Sequence, residues 1–159
     1  MKLLLLSSPN FFVEEDKILA TLFEEGLDIL HLRKPDSEPV YCERLLTLLP
    51  EKYHQRIITN DHFYLKDEFD LLGIHLSERN PNTPPGYKGV TTCTCYSLEE
   101  LVEAKKRNKY VILRNVYDSN AGNQSTSLYS HEQLRDASRK GLIDKKVMAQ
   151  TGITLENIH

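Results

Sequence analysis

Polar and charged residues directly follow the short apolar runs of this sequence, and their types are those that bind anions. The run "RIITN" ends at Asn60 and is followed by Asp61, while "DILHLR" ends at Arg33. A second arginine, Arg114, follows the apolar part of "YVILRN". Guanidinium groups supported by hydroxyls and backbone amides suit an anion, above all a phosphate ester. The polar groups after the seven apolar runs are Ser7-Ser8, Arg33-Lys34, Asn60-Asp61, Ser77-Glu78, Thr94, Arg114-Asn115 and Gln150-Thr151-Gly152.

These groups form a site only if the apolar runs are strands that end at the same edge of a sheet. Most of the runs are continuously apolar, which is typical of parallel strands covered on both faces. The carboxyl ends of parallel strands share one side, and that side holds the ligand site. Polar turns also follow strands without any ligand, so a binding role and a structural role stay equally open for the two arginines. The predicted strands are 2–7, 28–33, 56–60, 71–76, 89–94, 110–115 and 146–151.

Helical patterns lie between the predicted strands. The sequence predicts helices over 13–25, stopped by Gly26, and over 38–49. Ser-x-x-Glu/Gln capping boxes predict helix starts at "SLEE" and "SHEQ", and "TLEN" near the C-terminus predicts a further helix. Residues 77–88 and 118–127 are predicted loops. The alternation of β and α elements predicts an α/β fold with a parallel sheet, either open or closed as a barrel.

Composition narrows the class of protein. The 159 residues predict a single domain over 1–159, and 40% hydrophobic with 27% charged residues is ordinary for a soluble protein. The net charge of −3 does not indicate binding to nucleic acid or to an anionic membrane. The start "MKLLLLSS" is too short for a secretory signal, and no apolar run approaches the roughly 20 residues of a membrane-spanning helix. A cytoplasmic protein with three cysteine thiols is expected.

The histidines and the missing motifs limit the chemistry further. His31 and His75 lie inside predicted strands, where a hydrogen-bonded interior role is favoured over catalysis. His54, His62, His131 and His159 are expected at the surface or in loops, with His62 in the first turn of a short helix. There is no Gly-x-Gly-x-x-Gly or Walker motif, which argues against a dinucleotide or nucleoside triphosphate site.

Taken together, these segments resemble the thiamine phosphate synthase/TenI family almost end to end. The resemblance lies in "ILHLRKPD", "IITNDHFYL", "LLGIHLSE", "GVTTCTCYSLEEL", "YVILRNVYDS", "LRDASRKGLIDKKVMA" and "TGITLENI", and the form "HLRKP" is closer to the TenI-like branch. It implies a TIM-type (β/α) barrel. About seven strands are present, and the eighth βα unit is expected to be missing from this chain. Two alternatives stay open: the barrel is incomplete, or another subunit of a homo-oligomer covers its open edge.

The resemblance also implies a magnesium-pyrophosphate site. Arg33 keeps the family's arginine as a catalytic and substrate-binding residue, and Asn60 keeps the asparagine that positions the ligand. His31 stands where the synthases have glutamine, and Lys34 is expected to substitute for a lysine that the family has at the next position. Asp61 is the expected Mg²⁺ ligand, whereas the second aspartate of the family falls at Asn80.

A second group of positions corresponds to the thiazole phosphate end of the family's site. Thr94 stands where the family has a serine near the reacting phosphate, and Tyr96 stands where the tautomerase has its acid/base histidine. The family's Thr-x-Thr-Lys loop falls at Ser119 to Gly122, which contains no lysine. Gly152 keeps one glycine of a Gly-Gly phosphate site. The implied substrates are therefore small phosphate esters, thiazole phosphate and a pyrimidine pyrophosphate.

The residues and the resemblance leave three functions open. The first is synthesis of thiamine phosphate from hydroxymethylpyrimidine pyrophosphate and thiazole phosphate, with release of pyrophosphate. The second is a TenI-like thiazole tautomerase, which needs an acid/base and no metal. The third is a non-catalytic, regulatory relative that binds phosphate esters.

Overall fold

The computed structural model describes residues 1–117 and 127–157 and divides into two compact units, Met1–Val90 and Thr91–His159. All seven predicted strands are present, and helices separate most of them. The single domain expected over 1–159 stays a prediction. In chain order the elements are β1 Leu4–Leu6, α1 Glu15–Glu24, β2 Ile29–Leu32, α2 Pro39–Leu48, a 3-10 helix Glu51–Arg56, β3 Ile57–Thr59, α3 Leu65–Glu68, β4 Gly73–Leu76, β5 Val90–Cys95, α4 Leu101–Arg107, β6 Val111–Leu113, α5 His131–Arg139 and β7 Val147–Ala149.

The first unit is a parallel sheet with helices packed on it. β1 pairs with β2, β2 with β3 and β3 with β4, all in parallel. Every residue of β2 and β3 is buried, which explains why these strands read as continuous apolar runs. The core joins the strands to the inner faces of α1 and α2, and its fully buried members include Leu30, Leu32, Leu46, Ile57 and Leu65.

The second unit is also a parallel sheet with helices packed on it, but it has fewer strands. β5 pairs with β6 and β6 with β7, again in parallel. The core here is centred on Cys95, Leu101, Val111 and Leu113, so α4 packs its first residue against β5 and β6. α5 begins with a complete capping box, in which the Ser130 hydroxyl and the Gln133 side chain each accept the other's backbone N–H. The capping box predicted from "SHEQ" is confirmed.

Gly26 and Gly73 allow a conformation and a contact, respectively, that a side chain would prevent. Gly26 has φ +110 and ends α1, as predicted. A Cβ on Gly73, the first residue of β4, would lie 2.3 Å from the carbonyl oxygen of Val90. β4 therefore starts with glycine because another stretch of backbone passes directly against it.

Several local predictions are wrong. The segment "TLEN" forms a turn and not a helix, with Asn157 Oδ1 accepting the backbone N–H of Thr154 at 2.9 Å. In "SLEE" only half of the predicted box forms. The Ser97 hydroxyl accepts from the backbone N–H of Glu100 at 3.4 Å, but the Glu100 carboxylate accepts from the backbone N–H of Tyr96 at 3.0 Å and not from that of Ser97. His62 is not in a helical turn, because its φ is +53.

His54 was expected at the surface and is instead buried. Its ring nitrogens contact the carbonyl oxygens of Leu46 at 2.9 Å, Leu49 at 3.1 Å and Phe69 at 3.1 Å, which ties α2 to the end of α3. The three cysteines are free thiols, as predicted. Among residues 1–117 and 127–157, no helix is both long and apolar enough to cross a membrane.

Candidate functional site

The turn after β3 is fixed by its own hydrogen bonds. The Thr59 hydroxyl donates to the carbonyl of Asp61, and the backbone N–H of Asn60 donates to the carbonyl of Leu32 at 2.9 Å. His62 then takes the left-handed conformation that reverses the chain, and its Nε2 contacts the carbonyl of Ser37 at 2.9 Å. Asn60 and Asp61 are therefore held at the carboxyl end of the sheet, where the sequence predicted them.

The Asp61 carboxylate is buried and accepts three hydrogen bonds, from donors in two different loops of the first unit. Its Oδ2 accepts from the backbone N–H of Lys34 at 2.8 Å. Its Oδ1 accepts from Arg79 Nη2 at 2.5 Å and from Asn80 Nδ2 at 3.3 Å. Both oxygens are thus engaged, and Asp61 joins the loops that follow β2 and β4.

His31 and His75 form a buried imidazole pair on β2 and β4. Their ring centroids are 4.9 Å apart, and the interplanar angle of 76° makes the contact edge-to-face. Burial lowers the pKa of His31 to about 4 and that of His75 to about 3. His31 Nδ1 lies 3.0 Å from Asn60 Oδ1, which can only accept, so the neutral His31 ring donates this hydrogen bond. The predicted interior role fits both residues.

Arg33 and Lys34 are neighbours in very different environments. The backbone N–H of Arg33 donates to the Ser7 hydroxyl at 2.9 Å, and that hydroxyl donates back to the Arg33 carbonyl at 3.2 Å. The half-buried Arg33 guanidinium has no hydrogen-bond acceptor within the described part of the chain. This leaves its donors available to a ligand.

Lys34, in contrast, is fully buried. Its Nζ lies 2.6 Å from Glu15 Oε1, 3.0 Å from the carbonyl oxygen of Asn10 and 4.3 Å from the centroid of the Phe11 ring. Its three ammonium hydrogens are directed to groups inside the protein. Lys34 therefore holds the loop after β2 to the start of α1 and does not present its charge at the surface.

The donor set around Asp61 does not match a magnesium ion held by two carboxylates. Position 80 carries an amide, and a guanidinium already lies on Oδ1. Residues 1–117 and 127–157 contain no group of three or more His, Cys, Asp or Glu side chains that could hold a metal ion. The magnesium ion expected at Asp61 stays a prediction.

The second unit carries the other predicted residues. Thr94 lies in β5 and Tyr96 directly after it, both half-buried. The backbone of Tyr96 is fixed on both sides, because its N–H donates to Glu100 Oε2 and its carbonyl accepts from the Tyr129 hydroxyl at 3.0 Å. Ser119 lies outside the described residues, as does His159, which was also expected in a loop or at the surface.

The turn after β7 has unusual backbone geometry. Thr151 has φ +83 and Gly152 has φ +69, so a β-branched residue takes a conformation that normally requires glycine. Asn157 Nδ2 donates to the Gly152 carbonyl at 2.8 Å. No described acceptor takes the N–H of Gly152, which leaves this N–H available to an anion.

Sequence reasoning missed three residues that shape the site, namely Arg79, Glu15 and Asn10. Glu15 and Asn10 lie 19 and 24 residues from Lys34 in the chain, and no local pattern links them to it. Arg79 had a signal, since it directly precedes the position where the family has its second aspartate. A cation beside a missing carboxylate indicates that the charge balance of the site has changed.

Comparison with known proteins gives a clear result at the level of solved structures. A thiamine phosphate pyrophosphorylase from Bacteroides thetaiotaomicron superposes with a TM-score of 0.91 and 53% sequence identity, over 99% of this chain and 75% of that one. A thiamine phosphate pyrophosphorylase from Pyrococcus furiosus has a TM-score of 0.75 at 19% identity, over 98% and 77% of the two chains, which concerns the fold alone. No family model and no curated protein matches the chain. The predicted TIM-type (β/α) barrel fold is confirmed, with seven of its strands in the described residues.

Proposed function

The chain belongs to the thiamine phosphate synthase/TenI family, and on that premise we propose that it joins hydroxymethylpyrimidine pyrophosphate to thiazole phosphate and releases pyrophosphate. The observation that carries the proposal is the 53% identity, over 99% of the chain, to a structure described as a thiamine phosphate pyrophosphorylase. The substrates are small phosphate esters, which agrees with the Arg33 guanidinium after β2 and the backbone N–H of Gly152 after β7.

The proposed reaction exchanges one bond for another at the pyrimidine methylene carbon. The C–O bond to pyrophosphate breaks, and its electron pair leaves with the pyrophosphate oxygen. The thiazole ring nitrogen then donates its lone pair to the methylene carbon, which forms the C–N bond of thiamine phosphate. Negative charge grows on the departing oxygen, so fixed cations and N–H donors aimed at it lower the barrier.

Arg33 is the residue that we assign to the departing pyrophosphate. Its backbone is clamped by Ser7, while its half-buried guanidinium has no acceptor among the residues that the structure describes. A guanidinium in this situation has donors ready for phosphate oxygens and needs little reorganisation. Asn60 and His31 hold each other through the Oδ1–Nδ1 hydrogen bond and position the turn beside it.

The thiazole phosphate is assigned to residues of the second unit. Gly152 offers a backbone N–H in a left-handed turn, and Thr94 offers a hydroxyl at the end of β5. Ser119 is proposed to add a hydroxyl, as its position in the family's loop implies. Tyr96 follows Thr94 directly and is proposed to line the same part of the site.

Purified protein, incubated with both substrates with and without Mg²⁺, is expected to form thiamine phosphate, measured by chromatography. The substitution Arg33→Gln should lower kcat/KM by roughly 100-fold, because one fixed donor to the developing charge is lost. Arg44→Gln, an exposed arginine on α2, is the matched control and should leave the rate unchanged. Folded wild-type protein that forms no thiamine phosphate under either condition would contradict the proposal.

A further inference from the structure

A closed turn after β4 places an arginine on the carboxylate of Asp61. The backbone N–H of Ser77 donates to the carbonyl of Asn80 at 3.1 Å, and the N–H of Asn80 donates back to the carbonyl of Ser77 at 3.1 Å. The Asn80 side chain anchors this turn to its neighbour, because Nδ2 donates to the carbonyl of Asn60 at 2.9 Å. Arg79 lies inside this turn, so its position is fixed by the backbone and not only by its own side chain.

The ion pair between Arg79 and Asp61 joins a buried anion to a partly exposed cation. The Asp61 side chain is 8% exposed, whereas that of Arg79 is 38% exposed. A guanidinium has five N–H donors, and Asp61 is its only hydrogen-bond acceptor within residues 1–117 and 127–157. Arg79 is therefore oriented from one side by a carboxylate and keeps further donors for a ligand.

The same oxygen cannot serve Arg79 and a divalent cation together. Asp61 Oδ1 already accepts from Arg79 and from Asn80, and a metal ion on it would lie against the guanidinium charge. The missing carboxylate at position 80 removes the second ligand that a magnesium ion would use, since Asn80 directs its Nδ2 donor at Asp61. The arrangement supplies one fixed positive charge from the protein.

We propose that Arg79, held by Asp61, binds the pyrophosphate group of the substrate without a divalent cation. This inference rests on the proposed function for the class of ligand. Asp61 then acts as the positioning residue for a guanidinium and not as a metal ligand. A planar guanidinium binds two phosphate oxygens at once, which suits a pyrophosphate better than a single point charge does.

Isothermal titration calorimetry with inorganic pyrophosphate in excess EDTA tests the inference. Wild-type protein is expected to bind in EDTA with a Kd within about threefold of that in Mg²⁺, because the fixed cation is part of the chain. Arg79→Gln should weaken binding in EDTA by roughly 10- to 100-fold, the loss of one charge-assisted contact. Arg44→Gln, which removes an exposed arginine of the same unit, should bind like the wild type.

A double substitution should make pyrophosphate binding depend on Mg²⁺. Arg79→Ala with Asn80→Asp removes the guanidinium and restores a second carboxylate, so this protein should bind pyrophosphate only when Mg²⁺ is present. Circular dichroism and thermal unfolding establish that each variant is folded. Binding by wild type that disappears in EDTA, or an Arg79→Gln protein that binds like wild type, overturns the inference.

The binding experiment separates this inference from the proposed function. Pyrophosphate bound in EDTA by a protein that forms no thiamine phosphate leaves the inference standing and contradicts the proposed function. Thiamine phosphate formed by a protein that binds pyrophosphate only with Mg²⁺ leaves the function standing and overturns the inference.

Discussion

The strand ends of the two units are built in different ways. In the first unit, the predicted ligand-binding residues are mostly bonded to one another, since Asp61 joins two loops and His31 is bonded to Asn60. In the second unit, a residue with a positive φ angle follows each of two strands: Asn115 follows β6, and Thr151 follows β7. The strand ends of the first unit combine buried side-chain contacts with the left-handed His62, whereas left-handed residues follow both β6 and β7 in the second unit.

This difference indicates how each unit should respond to substitution. Buried charges and polar pairs are costly to disrupt one at a time, because the partner that remains is left without compensation. A backbone held in a sparsely populated region stores a smaller amount of free energy, which a better-suited residue releases. The first unit should therefore lose stability on substitution, while the second can gain it.

The buried pair of Lys34 and Glu15 should give the largest effect. Glu15→Leu leaves the Lys34 ammonium buried without its counter-ion, and is expected to lower the free energy of unfolding by about 3–5 kcal/mol. Glu15→Leu with Lys34→Met removes both charges and should recover most of that loss. Urea unfolding monitored by circular dichroism measures both. If Glu15→Leu alone is as stable as the wild type, the ion pair does not hold the loop after β2.

The buried histidines should make the first unit sensitive to acid. Both prefer the neutral form when folded, so their contribution is complete above the unfolded pKa of about 6.5 and is lost as the pH falls toward the folded values. A pKa lowered from 6.5 to about 4 corresponds to about 3 kcal/mol for His31 between those two pH values.

The glutamine of the synthases provides the test of this pH dependence. The free energy of unfolding, measured in urea at each pH, should fall less between pH 6.5 and 4 in His31→Gln than in the wild type, because the contribution of His31 is absent. His131, at the exposed start of α5, supplies the matched control His131→Gln, which should follow the wild-type curve. Identical pH dependence in wild type and His31→Gln would exclude His31 as the source.

The smallest expected effect lies in the second unit and has the opposite sign. Thr151→Gly places the residue best suited to φ +83 in the turn after β7. The released strain exceeds the entropy that glycine adds to the unfolded chain, so stability should rise by about 1 kcal/mol. Thermal unfolding measures the change. An unchanged or lower unfolding temperature would show that Thr151 is not strained, and the contrast between the units would not hold.

The sequence predicts the architecture well because the strands are buried on both faces. Runs such as "DILHLR" contain the observed strand Ile29–Leu32, and the polar residues after them lie where the parallel arrangement requires. The burial of the Lys34 side chain could not be predicted from such a pattern. Its burial depends on Glu15, which only the folding of α1 against the loop brings within 2.6 Å.

The sequence also did not predict which charged and polar side chains contact Asn60 and Asp61. Asn60 and Asp61 were predicted at the end of β3, and the structure places them there. Their partners come from the turn after β4, where the closed backbone geometry decides that Arg79 reaches the carboxylate. A sequence gives the residue types in a loop, whereas the direction of each side chain depends on the turn that the backbone adopts.

The most direct test of the account is the stoichiometry of the reaction catalysed by the wild-type protein. Thiamine phosphate and pyrophosphate are measured in the same sample, by chromatography and by phosphorus NMR, with both substrates present. We expect the two products to appear in equal amounts and at the same rate. Pyrophosphate released without thiamine phosphate, or neither product from folded protein, would contradict it.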